Sequence, residues 1–274
     1  DLDLVEINFL AADNLWRNQN GVLSSAAEPL NDFSLTTAAA WGDLNGDGDL
    51  DLAVAEIGFP GLISATNRIY SNQSGTLTEV WRDLDDDVTI DLAWGDMDGD
   101  GDLDLAAANG NVSIAGIPDR VYLNQNGVLE QKASWQSADS SISLGVAWGD
   151  VDNDGDLDLA VAGGTEAGLS TAGIPNSLYL NVGGQLQTTP VWTSTETDVS
   201  MAVAWGDVDG DGDLDVYGDV VMDNLRFDGP AAGYIRQYGA GTPGSGSAIP
   251  VLGAQGPVSQ GATPTLRLRR ALGG

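Results

Sequence analysis

Oxygen-bearing side chains stand at alternate positions in one short stretch of this chain: Asp43, Asn45, Asp47, Asp49 and Asp51, with Gly48 at the sixth place counted from Asp43. The order returns as Asp96, Asp98, Asp100, Asp102 and Asp104, then as Asp150, Asp152, Asp154, Asp156 and Asp158, and again as Asp207, Asp209, Asp211, Asp213 and Asp215. Successive copies start 53, 54 and 57 residues apart, and Asp1-Leu2-Asp3-Leu4 matches the tail of a further copy. A fixed period of this length marks a repeat architecture. Carboxylates at that density repel one another unless a cation collects them. A hard cation such as Ca²⁺ takes 6–8 oxygens at about 2.3–2.6 Å.

The spacing assigns side-chain ligands to positions 1, 3, 5 and 9 and a backbone carbonyl to position 7. Position 7 is Asp49, Asp102, Asp156 and Asp213. Gly at position 6 permits the sharp turn, because it adopts positive φ without a Cβ clash. The pattern departs from an EF-hand, which closes with a bidentate Glu at position 12. Here position 12 is Val54, Ala107, Val161 and Gly218. Position 9 closes the loop instead, and an apolar, strand-forming run follows it. Magnesium keeps its waters and rarely accepts an all-protein cage. The absence of His and Cys disfavours zinc and copper. The expectation is about four Ca²⁺, one per full loop.

With Trp-Gly in front, the unit reads WGDxDGDGDLDLA, from Trp41, Trp94, Trp148 and Trp205. It resembles the FG-GAP or VCBS-type repeat, the calcium-binding blade unit of integrin-α-like β-propellers. Trp-Gly stands where that family has Phe-Gly. The resemblance covers residues 1–228 and implies a propeller, structural calcium and an extracellular setting.

Four short strands per repeat must position the loops. In the unit from Ser34 to Asp83, Ser34–Gly42 leads into the loop and Leu50–Ala55 leaves it. Asn67–Asn72 and Thr76–Trp81 then form a hairpin across Gln73-Ser74-Gly75. Matching turns recur at 18–21 (NQNG), 124–127 (NQNG) and 181–184 (NVGG). No long stretch carries a helical period. An all-β propeller or propeller fragment of about 4–5 four-stranded blades follows, with the first strand innermost and the fourth at the rim. Incomplete blades at the ends predict self-association through open strand edges.

Net charge is −31, and 21 of the 41 acidic residues lie in the loops. Such a surface disfavours nucleic acid, which needs a basic patch. No apolar run reaches the ~20 residues of a membrane helix. Millimolar extracellular Ca²⁺ suits weak sites of this kind. The chain begins without Met and inside a repeat, so the expectation is that an upstream segment is missing. Residues 229–274 contain no Asp or Glu and are rich in Gly, Pro and Ala, which predicts a linker or disordered tail.

Without His or Cys, nucleophilic triads and thiol chemistry are excluded. No acid pair is singled out as catalytic, so a non-enzymatic module is expected. Tryptophans in fixed register (Trp41, Trp94, Trp148, Trp205; Trp81, Trp135, Trp192) predict packing between blades, with sugar stacking as the alternative for the Trp81 set. The run Asp83-Leu84-Asp85-Asp86-Asp87 reads as a solvated turn. Recognition of an extracellular protein or glycan is the leading function, through loops at 56–66, 108–118 and 162–175. A calcium-dependent polysaccharide-acting enzyme and an architectural spacer are the competing readings.

Overall fold

The computed structural model describes residues 3–30, 34–58, 66–85, 87–110, 117–139, 141–164, 173–207, 214–218, 222–227 and 235–238. Every regular element among them is a β-strand. In the first blade, β1 (Leu4–Glu6) is followed by β2 (Phe9–Ala11), β3 (Asn14–Trp16), β4 (Asn18–Gln19), β5 (Val22–Leu23) and β6 (Glu28–Pro29). The second blade holds β7 (Ser34–Gly42), β8 (Asp51–Glu56), β9 (Arg68–Gln73) and β10 (Thr76–Arg82). The third has β11 (Thr89–Gly95), β12 (Asp104–Asn109), β13 (Arg120–Tyr122) and β14 (Trp135–Gln136). The fourth repeats the order with β15 (Ser143–Gly149), β16 (Asp158–Gly163), β17 (Ser177–Tyr179) and β18 (Trp192–Thr193). The fifth has β19 (Val203–Gly206), β20 (Asp215–Gly218), β21 (Met222–Phe227) and β22 (Ile235–Tyr238).

Blades two to five are antiparallel meanders in sequence order, the first joins β1, β3 and β6, and β2 crosses to the second blade, where it pairs antiparallel with β7. This is the four-stranded blade of a β-propeller, repeated into a propeller fragment. In the second, third and fourth blades the second strand is the apolar run after the acidic loop. β8, β12 and β16 are buried along their whole length. A strand buried on both faces reads as a continuous hydrophobic run.

The cores lie between blades. Ala53, Ile69 and Trp81 of the second blade pack with Leu105, Ala107 and Tyr122 of the third. Ala106, Val121 and Trp135 of the third pack with Leu159, Val161 and Tyr179 of the fourth. A blade cannot bury its faces alone, so neighbouring repeats stabilise one another. The first strands share an irregularity: register shifts fall between Thr36 and Ala38, Thr89 and Asp91, and Ser143 and Gly145. Such bulges bend and twist a strand.

Two expectations change. In the third and fourth blades the hairpin after the NQNG or NVGG turn holds only the isolated bridges Asn124–Leu129 and Asn181–Leu186. The fourth strand there shrinks to two residues. In the third blade the Glu130 carboxylate takes over part of the ladder, accepting from Leu123 N at 3.0 Å and Ser134 N at 2.6 Å. In the last sheet β22 pairs with β21. Residues 239–274 lie outside the described residues.

Candidate metal loops

Each loop joins the first strand of a blade to the second, and the strand pair fixes its ends: Gly42 faces Asp51, Gly95 faces Asp104, and Gly149 faces Asp158. Between them the backbone takes left-handed turns at positions 4 and 6: Gly46 and Gly48, Gly99 and Gly101, Asn153 and Gly155. Gly adopts this conformation at no steric cost, and Asn is among the few other residues that tolerate it. The position-6 glycine was legible in the sequence. The second left-handed turn, at position 4, was missed, although Gly, Gly and Asn were there to signal it.

The first-position carboxylate accepts two backbone N–H bonds from inside its own loop. Asp43 takes Asp47 N at 3.1 Å and Gly48 N at 2.9 Å. Asp96 takes Gly99 N and Gly101 N, and Asp150 takes Asp154 N and Gly155 N. The ninth-position carboxylate is fully buried in the second, third and fourth blades. Asp51 accepts Leu44 N at 2.9 Å and Asn72 N at 2.7 Å. Asp104 accepts Met97 N and Asn124 N, and Asp158 accepts Val151 N and Asn181 N. One side chain thus ties the loop to the end of the third strand in the second blade and to the turn after it in the third and fourth.

Position 7 turns its side chain away from the loop. Asp49, Asp102 and Asp156 accept from Ser74 N, Asn126 N and Gly183 N in the blade's own hairpin turn. That orientation leaves the role expected of position 7 to its backbone carbonyl.

The carboxylates of Asp96, Asp98 and Asp104 offer oxygens all within 4.8 Å of one another, and those of Asp150, Asp152 and Asp158 do the same. These two acidic clusters could hold a metal ion. Asp152 Oδ1 is buried there without a hydrogen-bond partner, and a buried acceptor of that kind fits a cation. Asp47, Asp100 and Asp154, at position 5, stand outside these groups; each accepts from the position-7 N–H. In the first full loop the third position is Asn45, whose Oδ1 accepts from Asp47 N at 3.0 Å. Of the last loop, Asp207 and Asp215 are described. Asp209, Asp211 and Asp213 lie outside the described residues.

Burial pushes the Asp104 carboxyl up to about 6 and that of Asp158 up to about 7, against the backbone N–H bonds that favour the charge. Burial also raises Asp51, Asp98 and Asp152. A divalent cation among these groups reverses that balance and holds them ionised.

The loops are also bonded across blades, which the sequence reading missed. Asn124 Nδ2 donates to Leu103 O at 3.1 Å within its blade and to Leu44 O at 2.8 Å in the preceding loop. Asn181 Nδ2 likewise donates to Leu157 O and to Met97 O. The signal was present as the leading Asn of each NxxG turn. The turn itself is as expected: positive φ at Asn20-Gly21, Ser74-Gly75, Asn126-Gly127 and Gly183-Gly184 is the mark of a two-residue hairpin loop.

Trp81 and Trp135 are buried and meet Tyr122 and Tyr179 of the next blade edge-to-face, with ring centroids 5.4 and 5.3 Å apart. These rings are inter-blade packing, not a platform for sugars. The acidic run after Trp81 is not a solvated turn either. Asp83 is buried, accepting from Asn67 Nδ2 at 2.7 Å and Tyr122 OH at 3.3 Å. Asp85 and Asp87 face Arg120 of the third blade. Long basic and phenolic side chains from the neighbour draw the run inward.

A model of the FG-GAP-like repeat matches residues 96–161 and 167–218, and one of the FG-GAP repeat matches residues 35–68. The chain belongs to the FG-GAP repeat family. All four full candidate loops fall inside the matched segments, and so does most of the third and fourth blades. A search of curated proteins gives no match. No helix of the described residues is long and apolar enough to cross a membrane.

Proposed function

We propose that this FG-GAP chain is a calcium-stapled recognition module that works outside the cell. The convergence of Asp96, Asp98 and Asp104, and of Asp150, Asp152 and Asp158, supports the reading most directly. These side chains would hold a hard cation, with the carbonyls of Asp102 and Asp156 as further donors. The cation supplies charge neutralisation and a fixed loop geometry; no bond-making chemistry is asked of it. Asp104 and Asp158 carry that rigidity to Asn124 and Asn181, and through them to the preceding loop. The sites then add stability as RT ln(1 + [Ca²⁺]/Kd), about 1.4 kcal/mol each at ten times Kd.

A protein or glycan ligand fits the variable loops at 56–66, 108–118 and 162–175, which a stapled scaffold would hold in place. Most of each loop lies outside the described residues. The test is a circular-dichroism melt in EGTA, then with stepwise CaCl₂ or MgCl₂. The midpoint should climb with calcium and not with equal magnesium; a midpoint indifferent to calcium would sink the reading. A glycan and matrix-protein screen with calcium or EGTA then addresses recognition. A ligand held equally well in EGTA would sever recognition from the staples.

A further inference from the structure

Position 3 of the full loops is Asp98, Asp152 and Asp209 in the third, fourth and fifth blades, but Asn45 in the second. Gly46 follows it, which makes one of four Asn-Gly pairs in the chain; the others are Asn20-Gly21, Asn109-Gly110 and Asn126-Gly127. Such a pair carries its own electrophile and nucleophile. The side-chain amide carbon lies within ring-closing reach of the next backbone nitrogen, and glycine has no Cβ to obstruct the approach. The local fold decides whether the ring closes.

At Asn45 the fold favours closure. Asn45 Oδ1 accepts from Asp47 N at 3.0 Å, and the turn closed by this bond contains the Gly46 nitrogen. The same N–H is aimed at the oxygen that takes up negative charge during attack. Both residues are exposed, and Gly46 is left-handed with φ 71°. The Gly46 N–H has no hydrogen-bond acceptor among the described residues, whereas its counterpart Gly99 N is held by Asp96 Oδ1 at 2.9 Å. Asn109 is the opposite case: it is fully buried at the end of β12, and the Gly110 N–H donates to Val88 O at 2.9 Å. Asn20 and Asn126 are themselves left-handed, within hairpin turns.

We propose that Asn45-Gly46 is a self-modification site, at which the chain converts the asparagine to an aspartyl residue and gives the second-blade loop the third-position carboxylate of its sister loops. The Gly46 nitrogen yields its proton to water and attacks Asn45 Cγ. The Cγ–Nδ2 bond breaks and ammonia leaves, which closes a succinimide. Water then opens the ring. Cleavage between Cγ and the Gly46 nitrogen restores the ordinary backbone with a side-chain carboxylate. Cleavage at the main-chain carbonyl carbon gives the isoaspartyl isomer, whose backbone is longer. The next blade discriminates between the two. Gly127 packs on this residue so closely that a Cβ there would stand 3.0 Å from Asn45 Cβ, and Gly184 covers Asp98 in the same manner. An aspartyl side chain has the shape of asparagine and fits; a lengthened main chain must displace Gly127.

The consequence rests on the calcium reading above. Asn45 offers a cation one neutral oxygen and the aspartyl product a charged one, and ligand charge count tunes the affinity of oxygen sites.

The full chain is incubated in mildly alkaline EGTA buffer beside the free peptide of residues 43–51 (DLNGDGDLD), and conversion at each Asn-Gly pair is followed by peptide mapping and mass. Asn45 in the folded chain should convert at least as fast as in the peptide and at least about ten-fold faster than Asn109, because the fold holds its reacting atoms together. Protection of Asn45 relative to the peptide would overturn the proposal. The gain is read by isothermal titration in a chain carrying Asp98→Ala and Asp152→Ala, with and without Asn45→Asp. Calcium should bind the second-blade loop several-fold more tightly with Asn45→Asp; equal affinity would overturn the claim that the modification completes the site. The conversion rates involve no metal, so a chain indifferent to calcium would overturn the staple reading, and the gain with it, while rapid conversion at Asn45 would still establish the modification.

Discussion

The indole N–H of Trp148 donates to the carbonyl of Ala93 at 3.2 Å, and the ring lies so close over Gly95 that a Cβ on that glycine would be 2.5 Å from Cδ1. Aromatic-Gly is therefore a contact between consecutive blades: the glycine of one repeat makes room for the tryptophan of the next. The same pair recurs as Gly42 with Trp94 and Gly149 with Trp205.

Gly95→Ala forces the Trp148 ring outward and strains its bond to Ala93. Overpacking of this kind costs about 1–3 kcal/mol. A fall in melting midpoint of roughly 2–4 °C per kcal/mol is expected for a chain of this size. A midpoint unchanged within error would mean that the ring slips aside freely and the contact is not tight.

Asp98 and Asp152 stand at position 3 of the two converged loops. Asp98→Ala and Asp152→Ala should each lower the calcium stoichiometry by one, read by isothermal titration. Their midpoints in EGTA should stay near that of the parent, since neither residue closes the fold as the buried Asp104 and Asp158 do. Undiminished stoichiometry in both variants would remove these side chains from the ligand set.

The loops and strands were legible because they are local. The alternation of oxygens, the glycine at position 6 and the apolar run after position 9 lie within about a dozen residues. β7 and β8 fall where the pattern places them. The side-chain bonds that join blades were not legible, because their partners are far apart in sequence. Asn181 reaches Met97, and Tyr122 reaches Asp83. Nothing next to Asp83 in sequence shows that it is buried, so its run reads as solvated. Likewise, the leading Asn of an NxxG turn looks like turn chemistry alone until the neighbouring loop is placed beside it.

A pH dependence follows from Asp119, at the junction of the third and fourth blades. Its carboxylate accepts from Asn109 N at 2.9 Å and from Ser143 Oγ at 2.8 Å, and no cation faces it among the described residues. Burial holds the carboxyl up to about 7, aided by the nearby Asp139. The folded chain thus keeps a proton that the unfolded chain loses near pH 4. Stability from this group falls as pH rises from about 4 to about 7 and is level above that.

Asp119→Asn should remove this slope. The matching residue of the second blade is already Asn67, which accepts from Glu56 N and donates to Thr89 Oγ1. The variant should be more stable than the parent at pH 8, by on the order of 1–4 kcal/mol, and nearly equal to it at pH 4.5. Urea titrations at the two pH values measure the difference. A parent and variant with parallel pH profiles would show that Asp119 is ionised in the fold throughout.

Asn181 offers a way to separate blade stapling from metal binding. Its Nδ2 donates to Met97 O at 2.6 Å and to Leu157 O at 3.1 Å, and its N–H holds Asp158. Asn181→Ala keeps the backbone bond to Asp158 but leaves two carbonyls without their donor. Each buried unsatisfied group costs about 1–3 kcal/mol, so a loss of about 2–4 kcal/mol is expected in EGTA. Met97 lies between Asp96 and Asp98, so the loop of the third blade should lose calcium affinity although no ligand was changed. The loop of the fourth blade keeps Asp150, Asp152 and Asp158 and should bind nearly as before. Isothermal titration of Asn181→Ala combined with Asp98→Ala, and separately with Asp152→Ala, assigns the weakened site. Weakening confined to the fourth-blade loop would show that the staple acts within a blade, and the cross-blade bond to Met97 would then carry no coupling.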